Sequence, residues 1–126
     1  MKLRWASAWA AMLLLWCGTV GAAFAEDTAA DAYAIDPFAG RDDLVPEGRT
    51  LFNVHCAHCH GPDAFQGERP RDLRRLSLRY GEDMPIVFYR TATMGRPDKG
   101  MPSWKGALAD EELWKIFTFL GSVQKK

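Results

Sequence analysis

Cys56-Ala57-His58-Cys59-His60-Gly61 decides how this chain is read. Two cysteines three positions apart lie on one turn of a helix, and a histidine follows the second directly. From one turn, each thiol can form a thioether to a vinyl group of a single haem, and His60 then falls under the iron. This is the c-type haem-attachment pattern, and it implies one covalently attached haem c. Two other readings stand beside it. A redox Cys-x-x-Cys pair calls for a βαβ setting, and no segment here alternates with period two. A structural zinc site calls for a second ligand pair, whereas the remaining histidines, His55 and His58, crowd against the first.

Upstream, Lys2 and Arg4 precede an apolar run from Ala6 through Val20, and Ala23-Phe24-Ala25 supplies small residues at a cleavage site. Residues 1–25 therefore read as a secretory signal peptide cleaved after Ala25. An uncleaved anchor is the alternative, since the run approaches the roughly 20 residues that span a bilayer. Gly18, Thr19 and Gly21 interrupt it just before the cleavage site, which favours export to the periplasm without stable membrane insertion. Cys17 follows the bulky Trp16, where lipidation needs a small residue. It leaves with the signal, so Cys56 and Cys59 are the cysteines that remain.

What remains is roughly 100 residues, a size at which a covalent or cofactor staple is common. Residues 26–41 read as an irregular acidic leader and 42–126 as one domain. Lysines and arginines balance aspartates and glutamates at 16 each, and loss of Lys2 and Arg4 leaves a small acidic excess. That balance gives no argument for nucleic-acid binding. The distribution is uneven, with acids towards the N-terminus and Arg69, Arg71, Arg74, Arg75 and Arg79 in the centre.

Helical signals run the length of the domain. Pro46 and Glu47 open a first helix that carries Leu51, Phe52 and Val54 into the cysteine motif. A Gly/Pro loop over 61–70 leads to a helical rhythm from Asp72 to Tyr80, with Leu73, Leu76 and Tyr80 on one face. Pro85 marks the first turn of a third helix that stops at Gly95. Arg96 to Gly106 is a loop, and Leu113, Ile116, Phe117, Leu120 and Val123 form the stripe of a terminal helix behind Asp110, Glu111 and Glu112. Lys125 and Lys126 suit its C-terminal end. The expected class is all-α.

A six-coordinate iron needs a second axial ligand, for which Met84, Met94, Met101, His55 and His58 are the candidates. Met101 is preferred, because Gly100-Met101-Pro102 lies in the Pro/Gly loop, where a fixed backbone can aim a thioether. Met84 and Met94 read as a helix-start residue and a packing residue. His55 and His58 flank the cysteines too tightly to reach the far face of the haem.

Cys56 to Gly61, the Met101-Pro102 loop and a final helix with Trp114 and Phe117 together resemble the class I cytochrome c family over roughly Pro46 to Val123. The resemblance implies helices wrapped around one haem, with His60 and Met101 as iron ligands and single-electron transfer in place of catalysis. It implies that the first and last helices cross closely, through Gly48 and Phe52 on one and Trp114 and Phe117 on the other. It also implies a proline carbonyl that accepts from the proximal histidine, for which Pro70 is the nearest match. Thioether ligation raises the potential, as does aromatic burial by Phe52, Trp104, Trp114 and Phe117.

More narrowly, Arg79-Tyr80-Gly81-Glu82-Asp83 and the segment from Gly95 to Trp104 are similar to small cytochromes c that serve quinoprotein (PQQ-dependent) alcohol dehydrogenases. The donor expected from this is such a dehydrogenase, and the acceptor a terminal oxidase or another cytochrome. A haem subunit of a larger membrane-bound complex and a five-coordinate haem sensor or enzyme are the alternatives. Arg71, Arg74, Arg75 and Arg79 read first as a solvated face. The second reading has them pair with a haem propionate or dock an acidic redox partner. Trp104 reads as a wall of the haem pocket.

Overall fold

The computed structural model describes residues 35–126 except 66 and 67, and the expected signal peptide and most of the leader lie outside these. A 3-10 turn over Asp42–Leu44 leads into α1, Val45–His55. Pro46 sits in the first turn of α1, where its missing N–H costs nothing and its fixed φ is already helical. Cys56 breaks the helix, and Ala57–His60 forms a single further turn, α2. Leu73–Arg75 makes a 3-10 turn that runs into α3, Leu76–Tyr80. The Asp72 carboxylate caps that turn by accepting from the Arg74 N–H at 3.1 Å.

Helix α4 covers Met84–Met94 with Pro85 in its first turn, and Gly95 ends it at φ 71°. Helix α5 covers Asp110–Ser122, and the Glu112 carboxylate turns back to accept from the Ala109 N–H at 2.8 Å. Among the described residues there is no β-strand, only isolated bridges at Arg96–Met101 and Lys105–Leu108. The domain is all-α. None of the described helices is long and apolar enough to cross a membrane.

The core forms where α1 crosses α5. Phe52 is fully buried against the terminal helix, whose Leu113, Trp114, Ile116, Phe117, Phe119 and Leu120 are all buried. Gly48 permits the crossing, since a Cβ there would lie 2.0 Å from the Lys115 carbonyl oxygen and 3.1 Å from the Phe119 Cβ. Phe52 meets Phe119 with ring centroids 5.4 Å apart. The aromatic partners thus differ from those expected. Trp114 stacks on Tyr89 of α4 at 5.2 Å and 6° between planes, and Phe117 lies 5.2 Å from Phe88. The physical reason is helical phase: Lys115 and Phe119 are four apart, as are Gly48 and Phe52, so the two pairs share the crossing face. Trp114 and Phe117 point to the adjacent face, which α4 covers.

The arginine segment also departs from a solvated face. Arg74 is paired with the buried Asp72 at 3.1 Å and lies 3.9 Å over the Phe65 ring. The chain terminus closes on this segment. Lys125 reaches Asp72 at 2.8 Å, its backbone N–H donates to the Arg74 carbonyl, and Gln124 bonds Ser77, Leu73 and Leu120. Lys125 therefore serves a buried carboxylate, and not the end of the helix as its position implied. Phe38 also packs against the core, held by a turn in which the Asp36 carboxylate accepts from its N–H at 2.9 Å.

Candidate haem-binding site

The cysteine pair and histidine lie on a closed helical turn. The Cys56 carbonyl accepts from the N–H groups of Cys59 at 3.2 Å and His60 at 3.1 Å. Cys56 is half-buried and Cys59 exposed. Burial, aided by the neighbouring Cys59, pushes the Cys56 thiol up to about 11. Before haem attachment it is therefore a neutral thiol at pH 7, unlike the activated thiolate of a redox Cys-x-x-Cys pair. Gly61 then turns the chain away at φ 76°, ψ 153°, and its N–H still closes on the Ala57 carbonyl at 2.8 Å.

His60 is held from behind. Its Nδ1 lies 3.1 Å from the Arg71 carbonyl. A carbonyl can only accept, so Nδ1 carries the proton and the Nε2 lone pair is available to a metal. Burial lowers the His60 pKa, outweighing the Arg71 hydrogen bond that raises it, which favours the neutral ring a ligand must be. The acceptor is one residue beyond Pro70, the match the resemblance offered. Arg69–Arg71 forms a 3-10 turn, and this turn brings the Arg71 carbonyl to the imidazole.

A second brace was not legible in the sequence. Asp63 and Ala64 adopt left-handed φ values of 56° and 61° without being glycines. Asp63 is clamped to α1: its N–H donates to Asn53 Oδ1 at 2.8 Å, and its carboxylate accepts from Asn53 at 2.7 Å and from Arg49. Those two bonds, Arg49 foremost, hold the Asp63 carboxyl down to about 2. The strained turn after the haem motif is therefore tied to the helix before it.

Met101 sits in a loop stitched to the end of α4. Arg96 and Met101 exchange backbone hydrogen bonds of 2.8 and 3.0 Å around the Pro97–Lys99 turn, and Gly100 is left-handed at φ 75°. The Trp104 N–H donates to the Ala92 carbonyl at 2.9 Å, and Ser103 donates to the Thr93 carbonyl. Gly95 passes so near this loop that a Cβ there would lie 2.7 Å from Pro102 and Ser103 backbone atoms. The three candidate methionines are thereby separated. Met84 is in the core, Met101 is half-buried on the loop, and Met94 is 67% exposed. Met94 is the last residue of α4. His55 sets its ring edge-on to Trp104 at 5.7 Å.

The sequence profile of cytochrome c oxidase, cbb3-type, subunit III matches residues 43–120. The chain belongs to this family. It is 33% identical over 90 residues to cytochrome c550 of Pseudomonas aeruginosa, an alignment covering 69% of this chain and 61% of that protein. It is 31% identical over 102 residues to the cbb3-type cytochrome c oxidase subunit FixP of Sinorhizobium medicae, covering 78% of this chain and 34% of that subunit. The chain thus spans less than two thirds of either relative. No solved structure gives a significant match.

As a monohaem class I cytochrome c, the protein carries covalently attached haem c and belongs among electron-transfer proteins. The residues present fit that group. Two thiols share one turn with an imidazole whose Nδ1 is engaged and whose Nε2 is available to iron.

Proposed function

We propose that this cytochrome is a periplasmic one-electron carrier whose haem iron is ligated by His60 and Met101, with thioethers to Cys56 and Cys59. The observation that carries the reading is that both proposed ligands sit on segments held by hydrogen bonds to backbone. His60 is fixed by the Arg71 carbonyl, and Met101 by its paired bonds with Arg96. Bound haem supplies a metal that changes oxidation state by one electron. The chain's own part would be to offer His60 and Met101 to the iron, leaving no position for substrate, and to bury the iron's surroundings. A thioether ligand and low dielectric both favour the ferrous state.

The acceptor we infer is a terminal oxidase of the cbb3 type, supported by the family and by the FixP relatives. The donor we propose, a PQQ-dependent alcohol dehydrogenase, rests on the segments around Arg79 to Asp83 and Gly95 to Trp104 alone. Stopped-flow mixing of oxidised holoprotein with purified dehydrogenase and alcohol tests the donor. Reduction clearly faster than that of an unrelated periplasmic cytochrome supports the pairing, and equal rates refute it.

A second reading makes the protein a fixed haem subunit of the oxidase, favoured by the FixP names. Native copurification separates the two. A shuttle purifies free with its N-terminus at Glu26, whereas a subunit elutes in constant ratio with the oxidase.

A further inference from the structure

The carbonyl that accepts from His60 Nδ1 belongs to a stretch with little support of its own. Arg71 ends a 3-10 turn of 3 residues and is exposed to solvent. Short 3-10 pieces have poor hydrogen-bond geometry, so such a turn does not by itself fix where a carbonyl points. The residues that follow are held firmly, and much of what holds them comes from the end of the chain.

Asp72, next to Arg71, is 3% exposed, and its carboxylate accepts from Arg74 Nε at 3.1 Å and from Lys125 Nζ at 2.8 Å. The Lys125 N–H donates to the Arg74 carbonyl at 2.7 Å. Gln124 Oε1 accepts from the Ser77 N–H at 2.9 Å, while its Nε2 donates to the carbonyls of Leu73 at 2.9 Å and Leu120 at 2.8 Å. A backbone N–H can only donate and a carbonyl only accept, so the partners fix the orientation of this amide. One side chain thereby ties the end of α5 to the 3-10 turn at Leu73 and to α3. Chain ends fray unless something ties them down. Seating α5 does not require these bonds, since Phe119 meets Phe52 of α1 and Trp114 stacks on Tyr89 of α4. The bonds from Gln124 and Lys125 to other segments land on Asp72, Leu73, Arg74 and Ser77, directly after Arg71.

We propose that Gln124 and Lys125 are positioning residues for His60: they hold the segment from Asp72 to Ser77 so that the Arg71 carbonyl stays on His60 Nδ1. The inference rests on the reading of His60 as an iron ligand given above. A carbonyl that accepts from Nδ1–H makes the imidazole a more basic ligand and fixes its orientation. A more basic ligand favours ferric iron, so the tail lowers the potential that an unbraced histidine would give. Arg79 is the local counterpart of this latch. Its guanidinium donates to the Arg69 carbonyl and, at 3.1 Å, to the Asp72 carbonyl, one on each side of Arg71. The competing account makes the tail a closure of the chain that adds stability and leaves the histidine unaffected.

Holoprotein carrying Gln124→Leu, Lys125→Met or Lys125→Arg is compared with wild type by NMR exchange of the His60 Nδ1 proton in the ferrous state and by redox titration. Gln124→Leu changes no charge. It speeds Nδ1–H exchange roughly tenfold, as loss of about one net hydrogen bond from the brace would, and raises the midpoint potential. Lys125→Met removes a cation, which by charge alone lowers the potential, so its exchange rate is the deciding readout and it too rises. Lys125→Arg keeps the pair with Asp72 and keeps wild-type exchange. The Lys125 side chain is 41% exposed, so its replacements give the answer even if Gln124→Leu loads haem poorly. Phe119→Leu loosens the contact with Phe52 elsewhere on α5, lowering the thermal midpoint and leaving exchange and potential unchanged. Tail variants that lose stability as Phe119→Leu does, yet keep wild-type exchange and potential, overturn the proposal and leave the tail a simple closure. The ligation reading fails separately, if the His60 ring protons of wild-type ferrous protein show no shift from the haem ring current. The Nδ1–H exchange rate then still decides whether the tail holds the Arg71 carbonyl in place.

Discussion

Gly48 and Lys115 are in backbone contact where the first and last helices cross, so close that a Cβ on Gly48 would stand 2.0 Å from the Lys115 carbonyl oxygen. In an open helix, replacing glycine by alanine stabilises by about 1 kcal/mol. Here the sign reverses, because the obstructing atoms are backbone and α5 must move away, losing contact between Phe52 and Phe119. Gly48→Ala is expected to cost about 1–3 kcal/mol, read as a lower thermal midpoint of the holoprotein. A raised midpoint would show that the helices do not approach this closely.

Gly95 offers a parallel test at the haem site. It has φ 71°, and a Cβ would strike the backbone of Met101, Pro102 and Ser103. Gly95→Ala therefore displaces the methionine loop without removing any ligand. The ferric protein should lose intensity in the methionine charge-transfer band and admit cyanide faster than wild type, while its haem stays attached.

How much of this was legible in the sequence follows from the range of each interaction. Helices bounded by Pro46, Pro85 and Gly95 could be read because their signals lie within one turn. The turn that sets the two cysteines beside His60 was legible for the same reason. The partner of His60 was displaced by one residue, since the choice between the carbonyls of Pro70 and Arg71 depends on a 3-10 turn without a strong sequence signature. Phe119 was missing from the expected stripe because α5 is covered on two faces, by α1 and by α4, and a single-face pattern sees only one. Arg74 looked like a surface charge because its partners, Asp72 and Phe65, depend on how the loop folds back.

Asp72 ties the chain terminus to the arginine segment and makes stability depend on pH. Burial alone would raise its pKa, but hydrogen bonds from Lys125 and Arg74 hold it at about 2, below the ordinary value of 3.8. A depressed carboxyl stabilises the fold above the unfolded pKa and ceases to do so as pH falls through the folded one. Wild type should therefore lose stability between about pH 4 and pH 2 through this group. Asp72→Asn should be less stable at neutral pH, on the order of 1–2 kcal/mol once solvent screening of the partly exposed Lys125 is allowed for, with the difference closing near pH 2. Denaturant titrations at several pH values check this. A difference constant with pH would mean that Asp72 is not ionised in its pairs.

Covalent attachment predicts that haem survives conditions that unfold the chain. After denaturation and acid-acetone extraction, the polypeptide should retain one haem by mass, and Cys56→Ser with Cys59→Ser should release it. Retention of free thiols at both positions in the wild-type holoprotein would contradict the site.

The central claim is that Met101 faces His60 across the iron, and the absorption spectrum of the ferric holoprotein tests it most directly. Wild type, Met84→Leu and Met94→Leu should each show the red methionine-to-iron charge-transfer band and resist carbon monoxide in the ferrous state. Met101→Ala should lose the band and bind carbon monoxide readily. A band that persists in Met101→Ala and disappears in Met94→Leu would contradict the account, placing the ligand on the exposed end of α4 and not on the loop beside Arg96.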